Sequence, residues 1–252
     1  MKDLNAYWKE SLSEKRVVIT GGSTGIGREI ALLLTSLGAR CLICGRHQEQ
    51  IDETIAASKE VATTGSCDGT VADIAKREDI DRLFETADQR LGGVDILINN
   101  AALGYGSVSE GDYEDWDYLV RANLTAYLAC SHYAAKRMAA EGKGHIVNIG
   151  SMSADVREAG SSVYVATKTG IQGFSEALRK ELNPKKIKVT LIEPGAVDTD
   201  MQAGSTSEKE EKVDNLEMLP AEDIAMAVGF CLAQHERCDI VGLQIRPHLQ
   251  FI

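Results

Sequence analysis

Short apolar runs at residues 16–20, 40–45, 69–72, 95–99, 145–149, 188–192 and 239–245 are separated by segments with helical periodicity. Strand-length runs alternating with helices leave few architectures. Consecutive strands run parallel, joined by helices that cover both faces of one sheet. The predicted fold class is therefore α/β, a doubly wound parallel sheet of about seven strands. A chain of 252 residues is long enough for one such domain with its own core and short for two, so residues 1–252 are expected to form a single domain. Right-handed crossovers place all the strand C-termini on one edge, where ligands of such sheets bind.

The distinctive residues fall on that edge. Gly21 to Gly27 follow the first run, Arg46 the second, Asp73 the third, Asn99 to Ala101 the fourth, Ser151 the fifth, and Pro194 with Gly195 the sixth. TGGSTGIG at residues 20–27 supplies glycines at 21, 25 and 27 between a strand and an amphipathic helix. Glycine permits positive φ and close backbone approach, and the helix start aims its amides and dipole at the turn. An anion such as a pyrophosphate fits there.

Tyr164 and Lys168 stand one helical turn apart in SSVYVATKTGIQGFSEALRK, with Ser151 thirteen residues before the tyrosine. A phenol has a reference pKa near ~10, too high for ready proton exchange at neutral pH. An ammonium on the same helical face favours the phenolate and makes the phenol a usable acid and base. The Ser151 hydroxyl can polarise a carbonyl oxygen or hold an alcohol beside it.

Charge and cysteine usage exclude other classes. Lys and Arg number 27 against 38 Asp and Glu, a net charge of −11 that repels nucleic acid and anionic membranes. MKDLNAYWKESLSEKR is charged throughout and lacks an apolar signal-type core, so neither an export signal nor a membrane anchor is expected. Six scattered cysteines then suggest reduced thiols in the cytoplasm. Cys41 and Cys44 form a CxxC within a strand, where residues three apart face opposite sides, so buried cysteines are expected and no metal site.

With these motifs in hand, the chain resembles the short-chain dehydrogenase/reductase family of roughly 250-residue members. TGxxxGxG at 20–27, NNA at 99–101, Asn123, Ser151, YxxxK at 164–168 and PGxxxT at 194–199 stand in the family's order. The resemblance implies a Rossmann-like sheet and a nicotinamide-dependent oxidoreductase acting on CH–OH or C=O groups. It implies that Tyr164 is the acid/base, that Lys168 lowers its pKa and holds the nicotinamide ribose, and that Ser151 positions the substrate oxygen. Asn123 would complete a tetrad by bending its helix and fixing a water in a relay to Lys168. Asn99 would stabilise the end of the central strand. Cofactor contacts are implied at Gly21, Ser23, Thr24, Gly25, Ile26, Gly27, Arg46, Asp73, Asn100, Ala101, Tyr164, Lys168, Pro194, Gly195, Val197 and Thr199. For Asp73, a role capping the helix that begins KREDIDRLF is equally consistent with the residues.

NAD-selective sites place an acid at the end of the second strand, whereas an arginine there accommodates the 2′-phosphate of NADP. This chain has Arg46 and no acid before Glu49, so NADP(H) is expected over NAD(H). The function expected is an NADPH-dependent carbonyl reductase or alcohol dehydrogenase, with 3-oxoacyl or other ketones as candidate substrates. The alternatives are an NAD-linked oxidative dehydrogenase and a non-catalytic dinucleotide-binding regulator.

Substrate walls are expected from residues 103–106, 153–160 and 196–219. The last is polar enough to be a lid that orders only with ligand. Residues 1–15 read as an N-terminal extension. Two departures from the family pattern stand out: Ala102 where NNAG is common, and the ending GLQIRPHLQFI, which lacks a DGG-type finish. Helical segments at 113–142 and 162–183 are rich in small residues and suit a homodimer or homotetramer built on a four-helix bundle.

Overall fold

The computed structural model describes residues 4–202 and 204–250. Residues 1–3 of the N-terminal extension, Ala203 of the lid segment and residues 251–252 of the atypical ending lie outside the described residues. The strands are β1 (Arg16–Thr20), β2 (Arg40–Gly45), β3 (Ser66–Val71), β4 (Ile96–Asn99), β5 (Gly144–Ile149), β6 (Ile187–Pro194) and β7 (Gly242–Ile245). They form one parallel sheet in the order β3-β2-β1-β4-β5-β6-β7. The chain winds outward from β1 to β3, then returns to β4 on the other side of β1. The two strands that flank this reversal, β1 and β4, open a crevice at their C-terminal ends.

The helices are α1 (Leu4–Leu12), α2 (Gly25–Ser36), α3 (Gln48–Val61), α4 (Arg77–Leu91), α5 (Tyr113–Val120), α6 (Ala126–Glu141), α7 (Ser153–Val156), α8 (Ser162–Leu182), α9 (Thr206–Asp214) and α10 (Ala221–Leu232). Alternate strand residues feed two separate cores, as a pleated strand covered on both sides requires. Val17, Ile19, Cys41 and Ile43 pack with Ile30 and Leu34 of α2 and Ile224 and Val228 of α10. Val18, Leu42, Cys44 and Leu97 pack with Leu83 and Phe84 of α4, Cys130 of α6 and Leu178 of α8. Cys41 and Cys44 thus lie on opposite faces, both buried as free thiols. Burial pushes the Cys44 thiol up to about 12, so it is inert at neutral pH.

The N-terminal extension carries a helix of its own. Trp8 and Leu12 of α1 are buried, and the Trp8 ring lies over Gly229 of α10, where an added Cβ would stand 3.0 Å from Cζ3. Among the described residues no helix is long and apolar enough to cross a membrane.

Candidate active site

The strand edge holds a cleft of about 1080 Å³ that runs from the glycine turn and Arg46 to Ser151, Tyr164 and Lys168. Gly21 and Gly25 take φ of 64° and 51°, which L side chains rarely adopt. A Cβ on Gly21 would stand 2.8 Å from Cα of Ala101, and one on Gly27 would stand 2.1 Å from the Gly21 carbonyl oxygen. Gly27 therefore does not line the cleft but lets α2 begin against the turn. Thr24 caps α2 without a side-chain hydrogen bond, which leaves the first-turn amides open to a ligand. Thr20 Oγ1 accepts from the N–H groups of Asn100 and Ala101, and Asn100 Nδ2 donates to the Thr20 and Gly21 carbonyls, so the loops after β1 and β4 are tied together.

At the outer end stand Arg46 and Asp73. The N-cap of α3 is His47 and that of α4 is Lys76, so neither Arg46 nor Asp73 is spent as a cap. Asp73 Oδ1 accepts from Ala75 N–H at 3.0 Å, and both Asp73 oxygens lie 3.2 Å from the Tyr118 hydroxyl. Tyr118 in turn accepts from Arg46 Nη1 at 3.5 Å. Nothing in the sequence singles out Tyr118; only the packing of α5 across the sheet edge brings it to the cleft.

At the inner end, α8 presents Tyr164 and Lys168 on one face toward the Ser151 loop. Lys168 is buried, and its Nζ donates to the Ile149 carbonyl at 2.9 Å, an oxygen that also accepts from the Tyr127 hydroxyl at 3.1 Å. Burial pulls the Lys168 ammonium down to about 7. Tyr164 is raised above its ordinary value, mainly by burial and further by the charge of Glu158, while hydrogen bonding with Ser151 opposes the shift. This differs from the expectation that Lys168 holds the phenol down. The ammonium is engaged with Ile149 and lies 5.7 Å from the Tyr164 ring centroid, so burial sets the direction.

Asn123 does not line the cleft. It sits in a π-helical segment, Arg121–Thr125, which joins α5 to α6. Its Oδ1 accepts from Leu103 N–H and its Nδ2 donates to the Leu103 carbonyl, each at 2.8 Å. It therefore fixes the loop after β4 from below. Asn99 Nδ2 donates to Ser131 and Asn148, and Asn148 donates to Ser175, a buried polar ladder that stiffens the ends of β4 and β5.

Pro194, Gly195, Val197 and Thr199 line the cleft, as do Leu103 to Gly106, Ser153 and Glu158, and Thr199 stands against the glycine turn, where a Cβ on Gly25 would lie 3.0 Å from its Cγ2. Asp155 instead accepts from Gln172 and Gln244, and Arg157 Nε donates to the Ala154 carbonyl, so neither enters the cleft. The segment 196–219, expected to be a lid, carries a helix, α9, started by a capping box in which Ser205 and Glu208 satisfy each other's backbone N–H. Lys209 Nζ donates to the Thr199 carbonyl at 2.7 Å, and residues Val197 and Leu219 form a parallel bridge. Order in this segment thus rests on caps and polar staples, which its charge content concealed.

Residues 15–210 match the short chain dehydrogenase family. The chain belongs to that family. It is an oxidoreductase of the same kind as its curated relatives. An uncharacterized oxidoreductase of Staphylococcus aureus strain N315 is 31% identical over 237 residues, covering 94% of this chain and 98% of its own length. A metagenomic short-chain oxidoreductase solved in complex with NADP superposes with a TM-score of 0.82 at 28% identity, over 95% of this chain and 100% of that one. A short-chain dehydrogenase from Burkholderia cenocepacia, also in complex with NADP, gives 0.83 at 29% identity over 94% of this chain and 98% of that one.

Proposed function

We propose that this dehydrogenase is an NADP(H)-dependent carbonyl reductase, or the corresponding alcohol dehydrogenase in reverse. The observation that carries the reading is one cleft with an uncapped helix N-terminus and Arg46 at one end and Ser151, Tyr164 and Lys168 at the other. The glycine turn and the α2 amides would hold the pyrophosphate, and Arg46 the 2′-phosphate. Asp73, Asn100, Ala101 and the segment 194–199 would hold the remaining parts of the dinucleotide. NADP bound to the two structural relatives supports the same cofactor here. When bound, nicotinamide supplies or accepts the hydride.

The protein's own contribution is the proton. Tyr164, raised by burial, stays protonated through neutral pH and gives its proton to the substrate oxygen while Ser151 Oγ–H steadies that oxygen. Lys168 would hold the nicotinamide ribose, and Asn123 would act by fixing the loop at Leu103. The whole chain is read as one domain with the segment 196–219 as its lid, and a homodimer or homotetramer is the proposed assembly. Six free thiols suit a reducing compartment such as the cytoplasm.

Equilibrium titration of the parent protein and of Arg46→Ala with NADPH and NADH tests the cofactor reading. NADPH is expected to bind the parent more tightly. A charged hydrogen bond contributes about 1.5–3 kcal/mol, so the preference should shrink roughly tenfold or more in Arg46→Ala. Equal affinities of the parent for both cofactors contradict the assignment.

A further inference from the structure

The chain does not leave the cleft at its last strand. Gly195 N–H donates to the Ile245 carbonyl at 2.7 Å, and residues 246–250 then turn back over the end of β6 with Pro247 buried. Gln250 Oε1 accepts from Ala196 N–H at 3.0 Å, and Leu249 N–H donates to the Leu216 carbonyl at 2.9 Å. Ala196 and Leu216 lie near the two ends of the lid segment, so one short tail holds both feet of the lid. The tail packs directly on Gly195, where a Cβ would stand 2.3 Å from Gln250 Oε1 and 3.0 Å from Pro247 Cδ.

Gln250 also lines the cleft. It does so on the side of Ser151, since Ala196, which it touches, stands two residues after Pro194, whose carbonyl accepts from Met152 N–H next to Ser151. Its Oε1 is taken by Ala196, while Nε2 has no hydrogen-bond partner among the described residues. A primary amide held by its oxygen presents its N–H donors in a fixed direction, which suits an acceptor oxygen on a ligand. An ending without the family's common glycine-rich finish thereby gains a polar group at the substrate end.

We propose that Gln250 is a specificity-determining residue of this cleft, selecting carbonyl substrates that carry a second acceptor oxygen, such as 3-oxo esters, over plain alkyl ketones. The proposal rests on the reductase reading above. Substitution of the amide removes a neutral hydrogen bond, and roughly a three- to tenfold change in relative preference follows.

The test compares a 3-oxo ester with an alkyl ketone of equal chain length in the parent, Gln250→Leu and Gln250→Glu. NADPH affinity and thermal unfolding serve as checks on folding. The parent should favour the ester in kcat/KM, and Gln250→Leu should lose that preference mainly through KM. Gln250→Glu keeps an oxygen for Ala196 but meets the ester oxygen with negative charge, so it should lose the preference as well. An ester-to-ketone ratio unchanged in either variant overturns the proposal. Calorimetric binding of the same pair to the NADPH complex needs no turnover. A protein inactive on every carbonyl would therefore sink the reductase reading, while the affinity ratio still decides the role of Gln250.

Discussion

Lys168 is a cation placed where burial opposes its charge. Its pKa of about 7 means that ammonium and amine are both populated at neutral pH. The burial that produces this shift disfavours only the charged form. An anionic dinucleotide favours that form, and ribose hydroxyls accept from it, so NADPH should bind the protonated lysine better than the neutral one. Protons bound in the complex and absent from the free protein make affinity fall as pH rises through about 7, by at most about tenfold per pH unit. Titrations between about pH 6 and 9 should show this slope in the parent and a much flatter profile in Lys168→Met. A flat profile in the parent contradicts a cofactor role for the Lys168 charge. The sequence spacing made Tyr164 and Lys168 neighbours legible. It could not reveal that the ammonium is spent on the Ile149 carbonyl, because that bond depends on how deeply α8 sits against β5.

At the scale of elements, the helix expected over residues 113–142 is one run interrupted by the π segment around Asn123. Hydrophobic periodicity does not register a single extra residue per turn, so a disturbance at Asn123 was expected only from the family resemblance, as a bend, and its π-helical form was not. Tyr113, Val120 and Leu128 stand exposed along this run, and Gly173 of α8 has open space where a Cβ would lie. Large apolar side chains beside a small-residue helix face suit a two-fold contact between copies of the chain. Light scattering at micromolar concentration is expected to give a dimer or tetramer mass, and the double variant Val120→Glu with Leu128→Glu is expected to shift it toward monomer. A parent monomer at every concentration contradicts this assembly. The segment 196–219 shows the converse failure of reading: S-x-x-E at 205–208 was present to signal a helix start, but the charge density around it favoured disorder.

For the molecule as a whole, the seven-strand parallel sheet and the edge that carries the cleft were legible because they follow from the alternation of strands and helices. Every apolar run became a strand of the sheet, with ends shifted by a few residues, the largest shifts where β3 and β7 lie at the sheet edges. Contacts made at the end of long loops were not legible. The absent glycine-rich ending said only that the tail must finish differently, and the return of Gln250 to Ala196 needed the fold to be seen. The same holds for Tyr118, which reaches Asp73 from an element 45 residues away. The central claim is that one cleft binds NADPH at its outer end and moves a proton through Tyr164 at its inner end. Its most direct measurement is NADPH consumption with a panel of ketones and 3-oxo esters in the parent and in Tyr164→Phe, beside NADPH binding to both. Turnover by the parent, its loss by roughly 10²-fold or more in Tyr164→Phe, and nearly equal NADPH affinity in the two proteins are the predicted result. A Tyr164→Phe protein that still reduces a carbonyl at a near-parental rate would contradict the account.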